Sequence, residues 1–166
     1  MTAFFRTVFP VAIALTALVA APASADQPKK HKQGREGEHP AFLHALSDLR
    51  FARANLERAG GDAHAKWDER EAIADVDGAV KKIKEAAYDD GKNLSDHPPV
   101  DATLNRPGRL HHALEALDAA HRDVSEEEDD AFVQKLKVRA LKDIDSAVER
   151  TQRGLCDEGE KAFCAK

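Results

Sequence analysis

The chain lacks the motifs that redox and hydrolytic chemistry use, and it has little methionine and cysteine. Its single methionine is Met1, so a bundle haem with His/Met ligation has no thioether once a leader is removed, and no Cys-x-x-Cys-His is present for covalent haem attachment. Cys-x-x-Cys, Gly-x-Ser-x-Gly, His-Glu-x-x-His and a phosphate-binding glycine loop are missing too. The scattered serines and the single Tyr88 have no evident base beside them in sequence. These gaps argue against an enzyme. No stretch alternates apolar and polar residues with period two, which predicts a chain without strands. Beyond Ala21 no apolar run is long enough to span a bilayer.

The one apolar run that is present sits at the start. Arg6 supplies a charge, Val8 to Ala21 an apolar stretch interrupted by Pro10, and Ala23-Ser24-Ala25 a small-x-small cleavage pattern. Residues 1–25 therefore read as a signal peptide, with Asp26 opening a mature chain bound for the periplasm or the outside. Losing Arg6 with the leader takes the formal charge from -5 to -6. An acidic balance disfavours nucleic acid as a partner. Positive charge gathers in Lys29-Lys30-His31-Lys32 and Arg35, among Pro28, Gly34 and Gly37, so residues 26–38 read as a disordered basic arm.

Cysteine is limited to Cys156 and Cys164. In an exported protein two cysteines default to a disulfide. In one continuous helix they would stand roughly 12 Å apart at about 1.5 Å per residue, beyond disulfide reach. A disulfide therefore requires the helix to stop near Gly154 or Gly159, setting residues 154–166 apart as a disulfide-closed C-terminal segment.

Two blocks recur at one offset of 68 residues. His44-Ala45-Leu46 to Arg53 returns as His112-Ala113-Leu114 to His121, and Ala72 to Val80 returns as Ala140 to Val148. A copied helical hairpin explains a shared, insertion-free offset. Apolar residues fall on helical stripes in four segments: Phe42, Ala45, Leu46, Leu49, Ala52 and Leu56; Ala72, Ile73, Val76, Ala79, Val80 and Ile83; and their copies from Leu110 to Val124 and from Val133 to Val148. Pro40 and Pro107 suit first helical turns. Gly60-Gly61-Asp62 breaks the first hairpin, and Ser125-Glu126-Glu127-Glu128 reads as a capping box opening the fourth helix. The expected fold is an all-α four-helix bundle over residues 39–153. Its first repeat covers 39–90 and its second 107–153, joined by a crossover loop over 89–108 that is too rich in Gly and Pro to be helical.

Angular counting also puts Arg53 and Glu69 on the core stripe. Being nearly equidistant from Gly60-Gly61, they are expected to meet as an ion pair across the first hairpin. The same count turns Phe51 away from the core and His44 and His112 outward, and an exposed Phe51 or Trp67 would mark a protein-docking face.

All eight histidines lie beyond the leader, so metal is the first chemistry to consider. On the third helix His111, Glu115 and Asp118 fall at i, i+4 and i+7, with His112 and His121 nearby. Nitrogen and oxygen donors at that spacing suit a Zn, Ni or Cu ion. Asp118-Ala119-Ala120-His121 has the acid-x-x-His form of di-iron bundles, but its copy is Arg50-Phe51-Ala52-Arg53, and cations there argue against a di-iron centre. Asp96-His97-Pro98-Pro99-Val100-Asp101, in a proline-stiffened loop, is a further candidate.

His39-Pro40-Ala41-Phe42-Leu43-His44, Asp89-Asp90-Gly91-Lys92-Asn93-Leu94, Asp96-His97-Pro98-Pro99-Val100-Asp101 and Gly108-Arg109-Leu110-His111 together resemble a group of small exported bacterial helical proteins, a resemblance that implies no activity. More coarsely, a signal peptide followed by repeated, histidine-bearing hairpins resembles the small metal-binding proteins of the periplasm, which implies binding or buffering of a divalent metal. The expectation is a non-enzymatic periplasmic metal-binding protein. The alternative is a ligand-free protein-interaction or scaffold module.

Overall fold

A computed structural model describes residues 40–57, 67–86, 89–126 and 131–164, without the side chains of residues 67, 68, 131 and 132. The expected signal peptide and basic arm lie outside the described residues, as does the side chain of Trp67. Four helices follow one another: α1 Pro40–Leu56, α2 Trp67–Ala86, α3 Arg106–Glu126 and α4 Ala131–Asp157, with a final 3-10 turn at Lys161–Phe163. There is no strand among the described residues, and no described helix is long and apolar enough to cross a membrane. Pro40 and Pro107 both occupy opening turns, where a missing N–H costs nothing.

The helices form a four-sided bundle in which α1 touches α2 and α3, α4 touches α2 and α3, and the diagonal pairs do not meet. Cross-helix bonds give the directions. Arg109 near the start of α3 donates to the Asn55 carbonyl near the end of α1 at 2.8 Å. His121 reaches Asp145 at 3.2 Å, and Arg106 at the start of α3 pairs with Glu158 just past α4. Neighbours are thus antiparallel, which makes the diagonal pair α2 and α3 parallel. A parallel pair cannot be joined by a tight turn, so the chain must travel back along the bundle between Ala86 and Arg106.

The expected stripes form the core: Phe42, Leu46, Leu49, Leu56, Ile83, Leu110, Leu117 and Ile144 are fully buried, and Ile73, Leu141 and Val148 pack against them from its edge. Each fully buried aliphatic side chain contributes about 1.5–3 kcal/mol.

The duplication is a symmetry of the fold. Across α2 and α4, Arg150 holds Asp75 at 2.7 Å while Lys82 holds Asp143, and adding 68 to Asp75 and Lys82 gives Asp143 and Arg150. Such reciprocity is the mark of a two-fold axis between equivalent surfaces. Within the hairpins, Arg53–Asp77 at 2.7 Å has His121–Asp145 as its counterpart.

Three expectations are corrected. Arg53 is engaged by Asp77 and Glu57, and Glu69 by Arg106 at 2.8 Å, so the expected Arg53–Glu69 pair does not form. Counting outward from Gly60-Gly61 misplaced the register by eight residues, about two turns of α2. Ser125 does not open α4; it lies in α3, where its hydroxyl donates to the Arg122 carbonyl at 2.8 Å. Phe51 is half-buried and packs against the core, because α1 has neighbours on two sides and buries a wider arc than one stripe.

Candidate functional site

The five candidate metal ligands are not brought together. His111 turns to the C-terminal segment, where its Nε2 lies 2.8 and 2.9 Å from the two Glu160 oxygens and its ring meets Phe163 edge-on at 5.5 Å. His112 stacks on Phe51, with ring centroids 6.4 Å apart. His121 is occupied by Asp145, and Glu115 and Asp118 are exposed on the outer face of α3. No group of three or more His, Cys, Asp or Glu among the described residues is arranged to hold a metal ion. The equivalent residues His44 and His112 also part company, His44 exposed and His112 half-covered by Phe51.

Cys156 and Cys164 are bonded, with Cα atoms 4.9 Å apart. Of the two glycines that could stop α4, Gly159 does so at φ +93°, whereas Gly154 lies inside the helix. An added Cβ on Gly154 would stand 3.2 Å from Leu110, so its role is to let α3 approach.

The crossover is fastened at its start and again before α3. Arg50, fully buried in the middle of α1, donates to Asp90 at 2.8 Å and pairs with its second oxygen at 2.7 Å. Burial opposes charge on Asp90, but hydrogen bonds from Arg50, Lys84 and the Lys92 amide overcome it and hold its carboxyl below the usual carboxylate range. Gly91 turns at φ +69°, and Lys84 spans the turn to the Lys92 carbonyl at 2.6 Å. Asp96 accepts from the Asn93 amide at 2.7 Å. Asp101 accepts from the Thr103 hydroxyl and amide at 2.6 and 2.8 Å, which lowers its pKa. The two carboxylates flanking His97 are thus spent on turns; His97 itself places Nδ1 2.7 Å from the Pro98 carbonyl. Between these fastenings Ser95 to Pro99 stand exposed.

The sequence blocks stop short of a further repeat that the backbone makes plain. Asp89-Asp90-Gly91-Lys92 and Asp157-Glu158-Gly159-Glu160 stand 68 residues apart, both glycines have positive φ, and both segments fold back beside the helix they leave. Two cavities occupy corresponding places. One, about 410 Å³, lies between α2 and the crossover, with Val80 and Leu94 as its apolar floor and Lys81, Lys84 and Lys92 around it. The other, about 670 Å³, lies between α4 and the 3-10 turn and is lined by Glu149, Gln152, Arg153 and Phe163. Lys81 and Lys84 correspond to Glu149 and Gln152, and Lys92 to Glu160. An acid-acid-Gly tripeptide at the common offset was the signal for this relationship.

The chain matches no protein-family model, no curated protein and no solved structure.

Proposed function

We propose that this is an exported, non-enzymatic interaction module whose docking face is the crossover between α2 and α3. One observation carries the reading: the crossover is longer than its architectural task and is held in shape while exposed. Travelling the length of α2, about 30 Å, needs roughly ten extended residues. The chain uses the 19 residues between Ala86 and Arg106. The surplus is not slack, because Arg50, Lys84 and the Asp96 and Asp101 turns fix it, leaving Ser95 to Pro99 presented to solvent. An exposed segment ordered in advance pays less entropy on binding, and Pro98-Pro99 adds further stiffness. Export is supported by the leader-like residues 1–25 and by the disulfide, which fits an oxidising compartment.

Site-specific photo-crosslinking in the producing cell tests this. A probe at Ser95 or His97 should give one discrete adduct, and a probe at Lys135 or Lys142, on the exposed side of α4, should not. Equal labelling from both faces, or none from the loop, overturns the proposal. Divalent-metal buffering is the second reading, favoured only by His111 facing Glu160 with Glu115 one turn further along α3.

A further inference from the structure

We infer that the cavity between α2 and the crossover receives an acidic, extended peptide segment of the partner, with one apolar side chain seated on Val80 and Leu94. This rests on the crossover being the docking face, and it names the chemistry recognised there. A space of about 410 Å³ cannot admit a folded domain but suits a side chain or two of an extended segment. Its floor is core-continuous: Val80 is almost fully buried, and Leu94 packs against the core from outside.

Charge identifies the occupant. The chain as a whole is acidic, at -5, yet three lysines surround this space. Lys81 and Lys92 are exposed, and neither ammonium has an ion pair among the described residues. Of the charged residues lining the space, Asp77 is engaged by Arg53 and Lys84 by Asp89 and Asp90, which leaves Lys81 and Lys92. The unmatched local charge is therefore positive and draws a carboxylate-bearing ligand.

The second repeat acts as an internal control. The second fold-back, with its own positive-φ glycine, has Glu149 and Glu160 where the first has Lys81 and Lys92, and its cavity is lined by Glu149, Gln152 and Arg153 beside the Cys156–Cys164 disulfide. A fold-back after the helix thus forms without lysines at those two positions, so folding does not demand Lys81 and Lys92. Recognition of an anion does.

The test titrates the full-length mature chain with a labelled acetyl-Glu-Glu-Leu-Glu-Glu-amide peptide and reads fluorescence anisotropy. Controls are the Gln-Gln-Leu-Gln-Gln peptide and anionic phosphatidylglycerol vesicles. The key variant is Lys81→Glu with Lys92→Glu, which installs the residues of the second repeat at the two unpaired positions and leaves Lys84 to fasten the crossover; its helicity and melting temperature are checked first. A separate Lys81→Glu variant serves should the double variant misfold. Saturable binding that weakens with salt and falls about tenfold or more in the double variant supports the inference. No saturation, equal binding by the variants, equal binding of the uncharged peptide, or binding to vesicles alone overturns it. If the groove fails while loop-dependent crosslinking persists, the crossover remains the docking face and only the assigned chemistry falls.

Discussion

Arg50 and Asp90 form a buried ion pair between the middle of α1 and the first turn of the crossover, with side chains 1% and 7% exposed and N and O atoms 2.7 Å apart. Removing one partner strands the other charge away from water. Asp90→Asn should therefore cost about 3–5 kcal/mol in urea unfolding. Adding Arg50→Met should recover part of that loss, since it removes the stranded cation. Full additivity of the two substitutions would mean that the pair does not couple.

The same pair sets a pH dependence. Because Asp90 is held below its ordinary value of 3.8 in the folded chain, its stabilisation is present above 3.8 and is lost as pH falls through the depressed folded value. Asp48 and Asp75 act in the opposite sense. Burial, with Asp123 beside the first and Asp143 beside the second, pushes their carboxyls up, so their contribution declines as pH rises past 3.8. The stability difference between the parent chain and Asp90→Asn should shrink on acidification below 3.8 and stay flat between pH 6 and 8. A constant difference at every pH would rule out the ionised pair.

Gly78 tests the two-fold arrangement of α2 and α4. An added Cβ there would come within 2.6 Å of the Asp143 carboxylate that Lys82 holds, yet the equivalent residue of the second repeat, Ser146, carries a Cβ. Gly78→Ala gains roughly 0.5–1 kcal/mol of helix propensity and disturbs one part-exposed ion pair worth a similar amount or less. Its net effect should be close to zero. In an Asp143→Ala background the same substitution should stabilise by roughly 0.5–1 kcal/mol, measured by thermal melting. Destabilisation in both backgrounds would show that the backbone, and not the Asp143 side chain, fills the space.

The four helices were legible because burial of one face leaves a period that a sequence records directly: Phe42, Leu46 and Leu49 or Leu110, Leu114 and Leu117 suffice to place a core. Register was not, because it depends on the whole contact surface between two helices. The residues flanking Gly60-Gly61 gave Arg53 a partner two turns from Asp77, the one it has. The post-helical repeat escaped for a different reason. It is carried by Asp89-Asp90-Gly91 and Asp157-Glu158-Gly159, too short to register by apolar periodicity, and its lysine-to-acid exchanges hide the kinship that the two positive-φ glycines preserve. The metal candidates were not drawn into one cluster because spacing along α3 fixes only which donors share a helix. Glu160, Phe51 and Asp145 come from other elements and draw His111, His112 and His121 apart.

The disulfide should both stabilise the fold and order the segment that follows α4. Cys156 and Cys164 close a short loop around Gly159, and the chain-entropy model assigns such a closure about 2–3 kcal/mol. Cys156→Ser with Cys164→Ser should lower stability by that amount while leaving the bundle helical. Amide exchange should quicken from residue 158 to 164, and the contacts of His111 with Glu160 and Phe163 should loosen. Unchanged exchange there would mean that Arg106, through Glu158, anchors the segment without help from the disulfide.

Metal titration separates the two functional readings. A site on α3 needs His111, Glu115 and Asp118 to converge, but His111 already faces Glu160, and the two carboxylates are exposed, with no third donor grouped with them among the described residues. Calorimetric titration of the oxidised mature chain with Zn, Ni and Cu ions should therefore give the same isotherm for the parent and for His111→Ala with Glu115→Ala. Lone surface imidazoles give weak heats that neither substitution abolishes. Micromolar binding lost in the variant would reverse the ranking, since it would require the His111–Glu160 pair to open and close again around an ion. In that event metal buffering would become the leading function, and the C-terminal segment, not the crossover, would be its moving part.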